Sequence, residues 1–213
     1  MTRINTTLSN HLTFVLFLYL NMLNLTKPLI LASNSPRRQQ LLRELGFDFT
    51  VQVRPTDEIF PAEMPPAEVA GFLAQHKAEQ FQSDLGNQLV LCADTIVVVE
   101  NEILNKPVNE AEAQAMLQKL SGRTHEVITG ICLLSSEGFH TLSDVAKVEF
   151  KPLTDTEIKY YIHHYRPFDK AGAYGVQEWI GMVGIQRIEG SFYTIMGLPL
   201  HQVYQLLLPY IRV

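Results

Sequence analysis

The chain has 213 residues, 46% of them apolar and 18% charged, enough to bury a core of its own and most simply one domain of ordinary size. A net charge of −5 excludes a protein whose main work is gripping duplex nucleic acid, so any basic site has to be built locally. Cys92 and Cys132 fall inside apolar strand-like runs, which reads as two buried, reduced thiols of a cytoplasmic protein rather than a disulfide or a metal pair.

The most apolar run, Leu12 to Leu20, is too short to cross a bilayer as a helix, and no membrane association is expected. A signal peptide is the competing reading. Against it, Arg3 is the only basic residue ahead of the run, no small-residue cleavage site follows, and Asn21 and Asn24 interrupt its continuation. Residues 1–28 are therefore read as an N-terminal extension with a native start at Met22, and residues 29–213 as a single domain.

The domain opens on an apolar strand at Leu29 to Ala32, followed by Ser33-Asn34-Ser35-Pro36-Arg37-Arg38. Pro36 suits a first helical position, with Ser35 as N-cap, and Leu41, Leu42 and Leu45 give that helix an apolar stripe that Gly46 ends. Phe47 to Val53 reads as a strand, and the proline- and acid-rich stretch 54–66 as a loop. A helix from Ala67 to Leu85 turns Val69, Phe72, Leu73, His76 and Phe81 inward. Gln88 to Ala93 and Ile96 to Val99 read as two β runs separated by Asp94-Thr95.

Asn109 and Glu112 start a helix that Gly122 stops. Strands at about 126–134 and 142–150 flank a turn at Ser136-Glu137-Gly138. Thr154 and Glu157 form a capping box for a helix to about His164, and the glycine-rich stretch from Gly172 to Gly197 predicts hairpins. Pro199 opens a last helix with Val203, Leu206 and Leu207 inward. Interleaved strands and helices with added hairpins give an α/β class, a mixed twisted sheet flanked by helices, compatible with two lobes around a cleft.

A helix start with two guanidiniums, at the carboxyl end of a strand, is a site for a highly charged anion; the plainer reading is two solvated arginines. Asp94 follows a buried run, where a carboxylate needs a positive partner, and with Glu58 it would supply part of the oxygen shell of Mg²⁺. Lys77 and Lys106 add two ammonium groups. Each residue alone has an ordinary surface explanation. Together, Arg37, Arg38, Lys77 and Lys106 with Asp94 and Glu58 match a nucleoside triphosphate and its metal. In Asp169-Lys170-Ala171-Gly172-Ala173-Tyr174-Gly175-Val176-Gln177, glycines permit close backbone approach and Gln177 offers an amide able to read a pyrimidine edge, or merely to cap a backbone group. No Gly-Lys-Ser/Thr phosphate loop, GxGxxG fingerprint or HExxH zinc motif occurs.

The ordered motifs LASNSPRR, ADT, NKP, DKAGAYGVQ and MGLPL, from Leu29 to the C-terminus, resemble the Maf proteins, nucleotide pyrophosphatases also named septum formation inhibitors. That resemblance implies a cleft between two lobes of a Maf/ITPase-like α/β fold. It also implies hydrolysis of a nucleoside triphosphate to monophosphate and pyrophosphate with Mg²⁺ or Mn²⁺, and a homodimer. It casts Asp94 as the catalytic proton acceptor and, with Glu58, a metal ligand. Ser33, Arg37, Arg38, Lys77, Thr95, Lys106 and Gln177 become substrate-binding residues. Arg37, Thr95 and Gln177 fall on the family's dTTP/UTP side; its 7-methyl-GTP branch shows Trp, Gln and Glu there. A broad or 7-methyl-GTP pyrophosphatase and a non-catalytic division regulator are the rival functions. Gln177-Glu178-Trp179 departs from the familiar Gln-Gly, with Trp179 expected to narrow or stack within the base pocket.

Overall fold

A computed structural model describes residues 23–212. The apolar run at 12–20 and the proposed start at Met22 lie outside the described residues. Leu23 and Leu25 are half-buried against the core and bridge singly to Phe47 and Ile211.

Among the described residues seven strands occur: β1 (Leu29–Leu31), β2 (Thr50–Val51), β3 (Leu89–Val99), β4 (Glu102–Leu104), β5 (Thr124–Ser135), β6 (Gly138–Phe150) and β7 (Ile185–Glu189). They form one sheet in the order β2-β1-β3-β5-β6-β7, with β4 also on β3. β1 runs parallel to β2 and β3, and every other pairing is antiparallel, so the sheet is mixed. The helices are α1 (Pro36–Glu44), α2 (Pro66–Glu79), α3 (Glu110–Leu120), α4 (Asp155–Tyr165), α5 (Trp179–Gly184), α6 (Phe192–Ile195) and α7 (Leu200–Leu207).

Strand alternation sorts the side chains of β3 between two faces. On one face Leu89, Leu91 and Ala93 join a core closed by α1 and α7, while Val97 and Val99 join another closed by α3, α4 and α5. On the other face Val90 and Cys92 pack with Ala74 and Ala78 of α2, and Ile96 and Val98 with Val69, Ala70 and Leu73 of the same helix. Asp94 and Thr95 belong to none of these clusters. They form a polar seam across an otherwise apolar strand, with the clusters of residues 89–93 on one side of it and those of residues 96–99 on the other. The sequence predicts a break there; instead β3 is continuous, because Asp94 and Thr95 keep their ladder places opposite Gly130 and Thr129 of β5.

Caps and turns follow the local chemistry. Ser35 accepts the Arg38 N–H, Asn109 accepts the Glu112 N–H, and Thr154 and Glu157 cap each other reciprocally. Ser136-Glu137 joins β5 to β6 with Gly138 at φ 109°. Four expectations change. The strand at 47–53 contracts to Thr50–Val51. Helix α2 ends at Glu79 and presents its small residues inward, with Phe72 exposed, because close approach to the sheet selects size over hydrophobicity. The stretch 172–197 forms α5, β7 and α6 in place of hairpins, with Gly181 and Gly184 allowing tight packing against Val176 and Phe150. In α7, Leu200, Val203 and Leu207 are buried while Leu206 is only half-buried.

Cys92 and Cys132 face each other across β3 and β5 as free buried thiols, which burial pushes up to about 12 and about 11. His125 on β5, 2% exposed, sits 2.7 Å from the Tyr174 hydroxyl through Nε2, while Nδ1 is buried without a hydrogen-bond partner. Burial pushes this imidazole down to about 4. Between that value and the unfolded histidine's ordinary 6.5, the unfolded chain binds the extra proton. This contribution is therefore intact above about pH 6.5 and lost as pH falls toward 4, by roughly 3 kcal/mol in all. Denaturant melts across that range should show the decline, with a clearly shallower slope in His125→Phe; equal slopes would refute the assignment.

Candidate active site

A cleft of about 590 Å³ opens at the seam. It exists because β1 covers the edge of β3 only from Leu89 to Leu91 and β4 covers it only from Val97 to Val99. Residues 92–96 are left without a strand neighbour on that side, and every site residue singled out from the sequence lines this opening.

Arg38 reaches from the first turn of α1 into the gap. Its Nη1 donates to the Ala93 carbonyl at 2.7 Å, its Nε to the Gly197 carbonyl at 2.8 Å and its Nη2 to Thr95 Oγ1 at 3.0 Å. Ser33 Oγ accepts from Ser35 N at 3.2 Å and from Arg38 Nη1 at 3.5 Å, and among the described residues its own proton has no acceptor. Thr129 donates to the Thr194 carbonyl, so its contact with Thr95 at 2.9 Å is donated by Thr95. Arg38 and Thr95 thus commit most of their hydrogen-bonding capacity to joining β3, α1 and the Gly197 loop. Burial lowers the Arg38 pKa, opposed by Asp94, yet a guanidinium stays protonated, so its charge still faces the cleft.

The sequence places Asp94 at a strand end; it stands mid-strand, 7% exposed, on the face covered by α2. That helix supplies its counter-ion: Lys77 Nζ lies 2.5 Å from Asp94 Oδ1 and 2.8 Å from Glu58 Oε1. Lys106, in the loop after β4, lies 3.6 Å from Glu58 Oε2. Burial lowers the Lys77 pKa, but Asp94 and then Glu58 outweigh it and the net direction is upward. For Glu58 burial raises the pKa, and Lys77 and Lys106 reverse it to a net lowering. Both groups are held charged near neutrality.

Across the cleft, Arg37 Nη1 donates to Asp169 Oδ2 at 2.9 Å. Gln177 lines the same wall, and its amide has no hydrogen-bond partner among the described residues. Trp179 does not line the cleft; it packs on Tyr160 at 4.8 Å between ring centroids. Asp169, Lys170, Glu178 and Tyr161 were not assigned roles from sequence. The available signals are the adjacent opposite charges Asp169-Lys170 beside a glycine loop and the departure from the family pattern at Glu178, while Tyr161 reads as an ordinary core aromatic.

Residues 28–209 match the family model described as Maf-like protein. The chain belongs to the Maf family. Among its relatives, the dTTP/UTP pyrophosphatase of Flavobacterium johnsoniae is 46% identical over 180 residues, covering 84% of this chain and 93% of that protein. The dTTP/UTP pyrophosphatase of Cytophaga hutchinsonii is 45% identical over 186 residues, 87% of this chain and 85% of that one. That of Bacteroides thetaiotaomicron is 46% identical over 178 residues, 83% and 92%. Of solved structures, the Staphylococcus aureus Ham1 protein aligns with a TM-score of 0.44 at 15% identity, over 58% of this chain and 72% of that one.

In this Maf-family chain the cleft offers three kinds of chemistry. Arg37, Lys77 and Lys106 can exchange their carboxylate partners for phosphate oxygens. Asp94 and Glu58 converge on one ammonium and so form a pair able to take a cation. Gln177 offers both an amide donor and an acceptor.

Proposed function

We propose that this chain hydrolyses dTTP and UTP to the nucleoside monophosphate and pyrophosphate. The observation that carries the reading is the Asp94–Lys77–Glu58–Lys106 cluster facing Arg37 across one cleft of an acidic protein. An interaction surface alone gives no reason to gather those charges around a partly buried seam. The relatives named dTTP/UTP pyrophosphatase support the substrate class, and the Gln177 amide, without a hydrogen-bond partner among the described residues, supports a pyrimidine edge. Water attacks the α-phosphorus in line, the bond to the bridging oxygen breaks, and pyrophosphate leaves. Asp94 accepts the proton of the attacking water, and Arg37, Lys77 and Lys106 neutralise charge on the departing phosphates.

A hard divalent cation, Mg²⁺ or Mn²⁺, fits the donor set in part. Glu58 and Asp94 would hold it, phosphate and water completing the shell, since the described residues contain no cluster of three His, Cys, Asp or Glu. Such an ion supplies electrostatic stabilisation of the phosphate oxygens. The same reading takes the protein as cytoplasmic, supported by its free buried thiols, and as a homodimer, supported by the family resemblance. Among the described residues no helix is long and apolar enough to cross a membrane.

A panel of nucleoside triphosphates with Mg²⁺ or Mn²⁺, scored for monophosphate and pyrophosphate, tests the proposal. dTTP and UTP should be the best substrates. Preference for 7-methyl-GTP would reassign the base pocket, and diphosphate as product or no turnover at all would overturn the reaction.

A further inference from the structure

A chain of polar contacts runs behind the wall that carries Gln177, and the proposed reaction makes no use of it. Lys170, 8% exposed, divides its ammonium between Asp169 Oδ1 at 2.7 Å and Glu178 Oε1 at 3.1 Å. The other oxygen of Glu178 accepts the Tyr161 hydroxyl, and the Tyr161 oxygen in turn accepts the Gly175 N–H at 3.0 Å. The Glu178 N–H donates to the Gly175 carbonyl at 3.0 Å, so the turn 175–178 is closed twice, once by backbone and once by side chains. The Glu178 carboxyl wraps so closely around the turn that a Cβ on Gly175 would stand 2.8 Å from its carbon. Gln177 sits inside this turn and lines the cleft, and among the described residues its amide has no hydrogen-bond partner.

We infer that Glu178 is a positioning residue for base selection, holding the Gly175–Gln177 turn through Tyr161 so that the Gln177 amide meets the base edge at a fixed height and angle. The inference rests on the proposed triphosphate reading and deepens it. A terminal amide has free torsions of its own, so its discrimination depends on how rigidly its backbone is held; a displacement near 1 Å is enough to lose most of an oriented contact. Tyr161 is wholly buried and cannot turn to water, and Glu178 is the only acceptor the structure gives its proton among the described residues. Glu178 reaches the phosphate end through Lys170 and Asp169, and the Lys170–Asp169 and Asp169–Arg37 pairs are made by atoms of their own that do not require it.

Glu178→Ala, which removes the acceptor, and Tyr161→Phe are the test, with inorganic tripolyphosphate as a competitive inhibitor that reports the phosphate end alone. Each variant should raise KM for dTTP and UTP about tenfold, change kcat by less than about threefold and lower the preference over GTP about tenfold. The tripolyphosphate inhibition constant should stay within about twofold, and the double variant should be no worse than either single one, since both break one relay. Unchanged base preference in either variant overturns the inference. So does parallel loss of tripolyphosphate inhibition, which marks general unfolding, or additive losses in the double variant. An unaltered chain that turns over no triphosphate removes the functional reading and this inference together; a selective unaltered chain with equally selective variants removes this inference alone.

Discussion

Asp94→Asn is expected to lower triphosphate turnover by about two orders of magnitude or more, the scale of losing a general base, while the chain still folds and binds its substrate. Asparagine keeps the shape of the side chain, and its carbonyl oxygen still accepts from Lys77, so the seam of β3 stays filled. It loses the negative charge and the ability to take a proton. Leaving Lys77 uncompensated in a buried position would be costly, but Lys77 also bonds Glu58 at 2.8 Å and its side chain is 18% exposed, so the stability loss should be small beside the kinetic one. Steady-state pyrophosphate release together with thermal melts separates the two effects. Turnover near that of the unaltered chain would exclude Asp94 as the proton acceptor. A fall in melting temperature that matched the loss of activity would make it a structural residue.

What the sequence disclosed about this site was local, and what it withheld was three-dimensional. Ser35-Pro36 marks the start of α1 because a cap and a fixed φ act within one turn, and Thr154 with Glu157 marks α4 for the same reason. Asp94-Thr95 misleads because a polar pair in an apolar run resembles a strand boundary. Only the lengths of the neighbouring strands β1 and β4 show that the pair is the floor of an opening. The charged cleft residues stand out through their charge, and Ser33 and Thr95 only through the family resemblance. Arg38 and Thr95, both expected at the substrate, hold the loops together as well. The inward face of α2 was hidden for a different reason: Ala70, Ala74 and Ala78 carry little hydrophobic signal, and Phe72 beside them carries a great deal. Glu178 stood out only as a departure from the family pattern, and its partner Tyr161 not at all.

Gly130→Ala should be strongly damaging for so small a substitution, because of that same close approach of α2. A Cβ on Gly130 would stand 2.2 Å from the Ala70 carbonyl oxygen and 2.3 Å from the Gly71 nitrogen, both backbone atoms of the helix. No rotamer change relieves such a clash, so α2 must lift from the sheet and open the packing of Val69, Leu73 and Ile128 beneath it. Overpacking of this kind costs typically 1–3 kcal/mol; with backbone on both sides about 3 kcal/mol or more is expected, a fall of about 10 °C in melting temperature for a domain of this size. Gly71→Ala on the facing helix is the control. Its Cβ would meet Ser143 Oγ at 2.8 Å, a side chain that can rotate away, and alanine favours the helix, so its stability should change little. Activity should fall further in Gly130→Ala than stability explains. Gly130 lies opposite Asp94 in the ladder, and the helix it displaces carries Lys77 two turns beyond Ala70, so lifting α2 draws the ammonium away from the carboxylate it meets at 2.5 Å. A melting temperature equal to that of Gly71→Ala, or full turnover in a destabilised Gly130→Ala measured well below its melting point, would break this link between packing and chemistry.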